Sequence, residues 1–237
     1  MEKSLQGKVA LVTGRSVGKE LAEIFLNNEC NVGFVYRSRD REGELMERFA
    51  SYGQRFLLIH ADLSNENSAE ASVKRILDSF GRIDFLLNAL GGWLGGKKLH
   101  EHSLLELEKM LSMDLIPTFN IMKAVLPVMV KQKFGKIVNF VSMQIYEGGA
   151  KNSVYTASKS AVDALSRAAT REYLDDGISV FTIAPSIIDT EANRAFSGST
   201  GRSHRVTPKE IGEAVLFLCR EMESASGTTL RFPGKLT

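Results

Sequence analysis

Tyr155 and Lys159 stand four residues apart in Tyr155-Thr156-Ala157-Ser158-Lys159. On a helix that spacing puts both side chains on one face, one turn apart. A phenol has an unperturbed pKa of about 10, too high for easy proton exchange at neutral pH. Bringing a phenol to neutrality takes roughly 4 kcal/mol of preference for the phenolate. A lysine ammonium a few Å away in a partly dry cleft is a source of much of that. The pair reads as a proton-transfer device. Ser142 ends an apolar run and could donate a hydrogen bond to an oxygen that changes charge during hydride transfer.

Two further clusters suit a phosphorylated ligand. In Val12-Thr13-Gly14-Arg15-Ser16-Val17-Gly18, a strand pattern gives way to a helix pattern. Backbone N–H groups at a helix N-terminus, with its positive dipole end, suit a diphosphate. Glycine lets the backbone approach closely. A tight strand-to-helix turn with no ligand is the plain alternative. In Tyr36-Arg37-Ser38-Arg39, after the second strand pattern, no acid stands where dinucleotide folds often bind the ribose of NAD. Arg37 is available for a 2′-phosphate through charge-assisted pairing, which argues for NADP(H) over NAD(H). The alternative is that Arg37 and Arg39 are solvated loop charges.

These residues need a scaffold, and the hydrophobic pattern supplies one. Apolar runs at 9–12, 32–36, 56–59, 85–87, 137–141 and 180–183 predict buried strands, with a short one near 229–232. Helical patterns span about 14–28, 40–52, 67–80, 104–130, 155–173 and 208–220. Pro117 and Pro127 predict a bend or break in the fourth of these. Regular strand–helix alternation implies an α/β fold: one Rossmann-type, doubly wound parallel sheet of about seven strands with helices on both faces. The segment 196–203 reads as a mobile loop.

Length and composition narrow the classes. The 237 residues fit one large domain or two small ones. Thirty Lys and Arg against 28 Asp and Glu leave a net charge of +2, which gives no support for a nucleic-acid or membrane-surface partner. Cys30 and Cys219 form no CxxC, and two cysteines make no secreted disulfide framework. His60, His100, His102 and His204 lack metal-ligand spacing; His100 and His102, flanking Glu101, read as an exposed loop. The N-terminus lacks an apolar signal core and no apolar run approaches the ~20 residues of a membrane span. The expected place is the reducing cytoplasm.

Taken together, the ordered motifs resemble the short-chain dehydrogenase/reductase family over nearly the whole chain. Thr13, Gly14 and Gly18 match the family's glycine loop, and Asp62 with Leu63 its adenine-contacting segment. Asn88-Ala89-Leu90-Gly91 matches the NNAG motif, which makes Asn88 and Gly91 cofactor-side residues. Ser142, Tyr155 and Lys159 match the catalytic serine, tyrosine and lysine. Pro185, Ile188 and Thr190 match the segment that holds the nicotinamide carboxamide. The resemblance implies hydride delivery to a carbonyl carbon, with Tyr155 giving the proton, Ser142 orienting the oxygen, and Lys159 holding the nicotinamide ribose. It implies one NADP(H)-binding domain over 1–237, with substrate loops at about 91–103 and 186–206. A small carbonyl substrate, carrier-linked ones included, and a homotetramer or dimer through the helices around 115–130 and 154–173 are also implied.

Three departures stand out. The glycine loop is about two residues short if Gly18 takes the third glycine's place, so Arg15 and Ser16 compensate for missing N–H donors and cofactor binding is expected to be weaker or differently posed. Asp114 stands where the family has a catalytic-helix asparagine, as a relay residue or a structural one. The loop after the fourth strand continues as Gly91-Gly92-Trp93-Leu94-Gly95-Gly96, similar to dihydropteridine reductases. Trp93 would stack on a planar substrate or anchor its own loop. The leading expectation is an NADPH-dependent reductase like the 3-oxoacyl-acyl-carrier-protein reductases. A dihydropteridine reductase-like enzyme and a catalytically weak NADP-binding protein are the alternatives. Arg194 or Arg202 would meet an anionic substrate or stay a solvated charge; Gly198 and Gly201 are candidate lid hinges.

Overall fold

The apolar runs form seven strands: β1 (Val9–Gly14), β2 (Asn31–Tyr36), β3 (Phe56–His60), β4 (Phe85–Ala89), β5 (Gly135–Phe140), β6 (Ile178–Pro185) and β7 (Thr229–Phe232). The computed structural model describes residues 4–197, 205–222 and 225–234. The strands pair in the order β3-β2-β1-β4-β5-β6-β7, all parallel. Eight helices accompany them among the described residues: α1 (Ser16–Asn27), α2 (Glu42–Phe49), α3 (Glu66–Phe80), α4 (Leu104–Gln132), α5 (Gln144–Glu147), α6 (Ser153–Glu172), α7 (Glu191–Ser197) and α8 (Pro208–Glu221). This is the doubly wound Rossmann-type sheet that the alternation predicts.

Side-chain alternation along each strand divides the core between the two faces. Ala10, Val12, Phe34, Phe85 and Phe181 pack toward α1 and α8, where Phe25 meets Phe85 edge-on at 5.7 Å. Val9, Leu11, Ile59, Leu86, Ile137 and Val180 pack toward α3, α4 and α6. Both faces are covered, so the strands read as near-continuous apolar runs. The order reverses between β1 and β4, whose carboxyl ends lie side by side with Gly14 opposite Ala89. A crevice opens at such a reversal.

Caps fix where the site-bearing helices start. Ser103 and Glu106 form a reciprocal capping box at α4, and Thr207 and Glu210 do the same at α8, with Pro208 in its first turn. Asn65 caps α3 by accepting the Ser68 N–H at 3.0 Å.

Several local expectations are corrected. Pro117 and Pro127 lie inside one helix of 29 residues. Pro117 lacks an N–H, but its helix is packed along one side by α3 and along another by α6, and tertiary burial overrides the local penalty. By length and composition α4 could cross a bilayer; half of its most apolar stretch is buried in this fold. The helix expected over 40–52 is shorter, α2 being flanked by 3-10 turns, the second with Gly53 at φ 54°. The helix α7 extends into the segment expected to be a loop; Gly198, Gly201 and Arg202 lie outside the described residues. His100 is exposed, as expected of a loop, but the His102 side chain is packed away, its Nδ1 3.3 Å from Glu106.

Candidate active site

The turn from β1 into α1 has two positions that only glycine fits. Gly14 has φ +101°, and a Cβ there would lie 2.3 Å from the Ala89 carbonyl oxygen. At Gly18 a Cβ would lie 2.5 Å from the Thr13 carbonyl oxygen. Gly14 therefore makes the turn, and Gly18 lets the first helical turn pack onto the strand. No side chain caps the start of α1, and Gly14, Arg15 and Lys19, on either side of its first residues, line the crevice.

Arg15 and Gly14 line one end of a cleft that continues past the ends of β2, β3 and β4. Arg37 lies on it, as do Asp62 and Leu63 after β3 and Gly91 after β4. Two cations that the motifs did not reveal also line it: Lys19 and Arg41. No sequence signal marks them, because Lys19 on α1 and Arg41 before α2 meet the cleft only through the fold. Both bind the Glu44 carboxylate, at 2.5 Å and 2.6 Å. Their hydrogen bonds hold the Glu44 carboxyl below its usual range. Against the opposing pull of burial, two hydrogen bonds from Ser64 and the Arg37 guanidinium hold the Asp62 carboxyl below its usual range. Tyr36, where an acid would bind ribose, is pushed up to about 12 by burial and a hydrogen bond with Glu42, so it is a neutral phenol.

Asn88 is placed differently from its neighbours. Its side chain is buried under the sheet ends, accepting from Thr13 Oγ1 at 2.9 Å and donating to Thr118 Oγ1 and Asn139 Oδ1 at 3.1 Å and 3.0 Å. It ties three elements together from below the cleft. Asn120, missed in the sequence, donates to the Leu63 carbonyl at 2.9 Å and fixes the loop after β3.

The other end of the site lies between β4, β5 and α6. Ser142 follows β5, is buried, and accepts the Gln144 N–H at 3.3 Å. Tyr155 is half-buried on α6, and Lys159 one turn on is buried. The Lys159 ammonium donates to the Leu90 and Phe140 carbonyls, both at 3.2 Å, and faces Asp114 Oδ1 at 3.5 Å. This crowding needs Gly91: a Cβ there, at φ +148°, would sit 2.5 Å from Lys159 Nζ.

Beyond β6, the Pro185 carbonyl accepts the Met143 N–H at 3.0 Å, tying this segment to the one after Ser142. Ile188 bridges Val206, and Thr190 Oγ1 accepts the Asn193 N–H at 3.3 Å at the start of α7. Arg194 is bound to Asp189 through two nitrogens at 2.8 Å and 2.9 Å. The Arg194 side chain stays 54% exposed, a surface charge paired with its neighbour.

Trp93 is 47% exposed while its indole N–H donates to Asn152 Oδ1 at 3.1 Å. Asn152 Nδ2 in turn reaches Gln144 Oε1 at 3.4 Å. The ring therefore anchors its loop by one edge, as one of the two expectations for it holds.

The residues fit a dinucleotide phosphate. Gly14 and Gly91 lack the Cβ atoms that would crowd the turns after β1 and β4, the start of α1 carries no side-chain cap, and Arg15, Lys19, Arg37 and Arg41 line the β1–β2 end.

Comparison with known proteins agrees with this geometry. The family described as short chain dehydrogenase matches residues 8–199. An uncharacterised oxidoreductase of Staphylococcus saprophyticus is 30% identical over 222 residues, covering 92% of this chain and 93% of its own. The 3-oxoacyl-[acyl-carrier-protein] reductase of Aquifex aeolicus is 29% identical over 235 residues, covering 94% of each. Among solved structures, ElxO with NADP bound superposes with a TM-score of 0.89 at 28% identity, covering 98% of this chain and 97% of ElxO. A tyrosine-to-phenylalanine variant of ElxO with NADPH bound superposes equally well.

Proposed function

Because the chain belongs to the short-chain dehydrogenase family and is an oxidoreductase, we propose that it reduces a small carbonyl substrate with NADPH, in the manner of a 3-oxoacyl-acyl-carrier-protein reductase. The observation that carries this reading is a cleft lined by four cations at one end and by Leu90 and Gly91 at the other, where Lys159 donates to the Leu90 carbonyl and crowds Gly91. Arg37, with Lys19 and Arg41, would hold the 2′-phosphate. The N–H groups of Ser16 to Gly18, with Arg15, would hold the diphosphate. Asp62 and Leu63 would border the adenine. Pro185, Ile188 and Thr190 would border the nicotinamide.

Bound NADPH supplies a hydride to the carbonyl carbon. The chain supplies everything else. The Tyr155 hydroxyl gives its proton to the carbonyl oxygen as negative charge builds there. Ser142 donates a hydrogen bond to the same oxygen. The Lys159 ammonium favours the phenolate left behind. In the oxidative direction Tyr155 takes the proton instead.

We assign one domain over 1–237, with substrate choice made by the loops at about 91–103 and 186–206. A cytoplasmic place, a carrier-linked substrate, and a dimer or tetramer through α4 and α6 complete the proposal. The exposed face of Trp93 favours one second reading, in which a planar dihydropterin stacks there. NADPH and NADH oxidation measured side by side with acetoacetyl thioester and with quinonoid dihydropterin tests the assignment. Turnover of the thioester with a preference for NADPH is expected. Turnover of the pterin alone would replace it with the second reading, and binding without turnover would leave a weak NADP-binding protein.

A further inference from the structure

Asp114 is fully buried, and its two carboxylate oxygens meet three different parts of the site. Oδ1 accepts the Gly92 N–H at 3.1 Å and faces Lys159 Nζ at 3.5 Å. Oδ2 accepts the Ser158 hydroxyl at 3.1 Å. A buried carboxylate is expensive unless paired and hydrogen-bonded, and removing its partners is strongly destabilising. The Lys159 ammonium donates to Leu90 O and Phe140 O and pairs with Asp114 as an ion pair. The same carboxylate thus holds the lysine and the first peptide of the loop that carries Trp93.

We infer that Asp114 is a positioning residue that places Lys159 and the Gly91–Trp93 loop together and balances the lysine's charge, and does not itself exchange protons with substrate. The inference rests on Tyr155 and Lys159 being the proton-transfer pair. Its physical consequence is electrostatic. A negative charge beside Lys159 offsets part of the field that favours the Tyr155 phenolate. The pH–rate curve then lies at higher pH than it would with a neutral residue at 114.

The charged and titratable groups around the pair are few. From α4 comes Asp114, and from α6 come Tyr155 and Lys159. Asp163, one turn beyond Lys159, is paired with Arg167 at 2.9 Å. The segment after β4 (Ala89 to Gly92), the end of β5 (Phe140 to Met143) and β6 bring no ionisable side chain, while α5, packed on α6, brings Tyr146 and Glu147.

Asp114→Asn removes the charge and keeps the shape. The amide oxygen can still accept from Gly92, and the amide nitrogen can donate to Ser158 Oγ, which also lies 3.0 Å from the Met110 carbonyl. The expected result is a pH–rate curve for oxidation of 3-hydroxybutyryl thioester by NADP⁺ that moves down by about one pH unit. Trp93 is the only tryptophan, so its emission reports on the loop. That emission should be unchanged in Asp114→Asn. In Asp114→Ala, which frees the Gly92 N–H, emission should shift and acrylamide quenching should rise. Superimposable pH–rate curves for wild type and Asp114→Asn would overturn the inference. So would unaltered Trp93 emission and quenching in a folded Asp114→Ala. If Asp114→Ala fails to fold, the Asp114→Asn curve decides alone. A wild-type protein with no thioester turnover would overturn the proposed function, and the Trp93 readout would still judge Asp114.

Discussion

The Cβ that Gly91 lacks would lie 2.5 Å from the ammonium nitrogen of Lys159. Contact this close leaves no slack: the lysine reaches its place only because a glycine passes beneath it. The position also has φ +148°, which side chains with a Cβ rarely adopt.

Gly91→Ala should therefore damage catalysis more than folding. The methyl must push Lys159 away from the Leu90 and Phe140 carbonyls. A fall in kcat of about tenfold or more is expected, with a stability loss of about 1–3 kcal/mol from backbone strain. Steady-state kinetics and urea unfolding check the two parts separately.

Glu44 occupies the cations that a 2′-phosphate would need. It binds Lys19 and Arg41, and surface pairs of this kind are worth about 0.2–1 kcal/mol each. Glu44→Gln should tighten NADPH binding by about two- to fivefold and leave NADH nearly unchanged. Arg37→Ala should do the reverse, weakening NADPH selectively. Titration of both cofactors into both variants measures this.

Asn88→Ala should act through the fold. Three buried partners would be left without their hydrogen bonds: Thr13, Thr118 and Asn139. A loss of about 2–4 kcal/mol is expected on unfolding in urea, with NADPH affinity of the folded fraction within about threefold of wild type.

The loop carrying Trp93 is pinned at its far end by Glu106. Hydrogen bonds from Lys97, the Ser103 N–H and His102 hold its carboxyl down at about 2. A carboxyl depressed in the fold contributes stability above its ordinary value, and that contribution is lost as pH falls from about 4.5 toward 2. In Glu106→Gln, thermal stability should fall less steeply across that window than in wild type. Melting curves collected from pH 2 to pH 6 check the sign.

The strands were the most legible part of the chain, because burial on both faces writes each as an unbroken apolar run. The Tyr155–Lys159 spacing was legible for a related reason: one helical turn is a sequence-local distance. Pro117 misled, since a local penalty said nothing of the neighbours that keep α4 helical. The short α5 was invisible because four residues carry no periodicity. Lys19, Arg41 and Glu44 become one cluster only when α1 and α2 are brought side by side. Likewise, Asp114 was visible as a departure, but its grip on Gly92, Ser158 and Lys159 joins residues up to 45 positions apart.

The central claim is that Tyr155 gives the proton. The direct measurement is acetoacetyl-thioester reduction by NADPH in Tyr155→Phe, alongside NADPH binding to the same variant. General acid catalysis contributes about 10²–10⁴-fold, so kcat should fall by that much while NADPH still binds. A Tyr155→Phe enzyme that keeps kcat within about threefold of wild type would contradict the account.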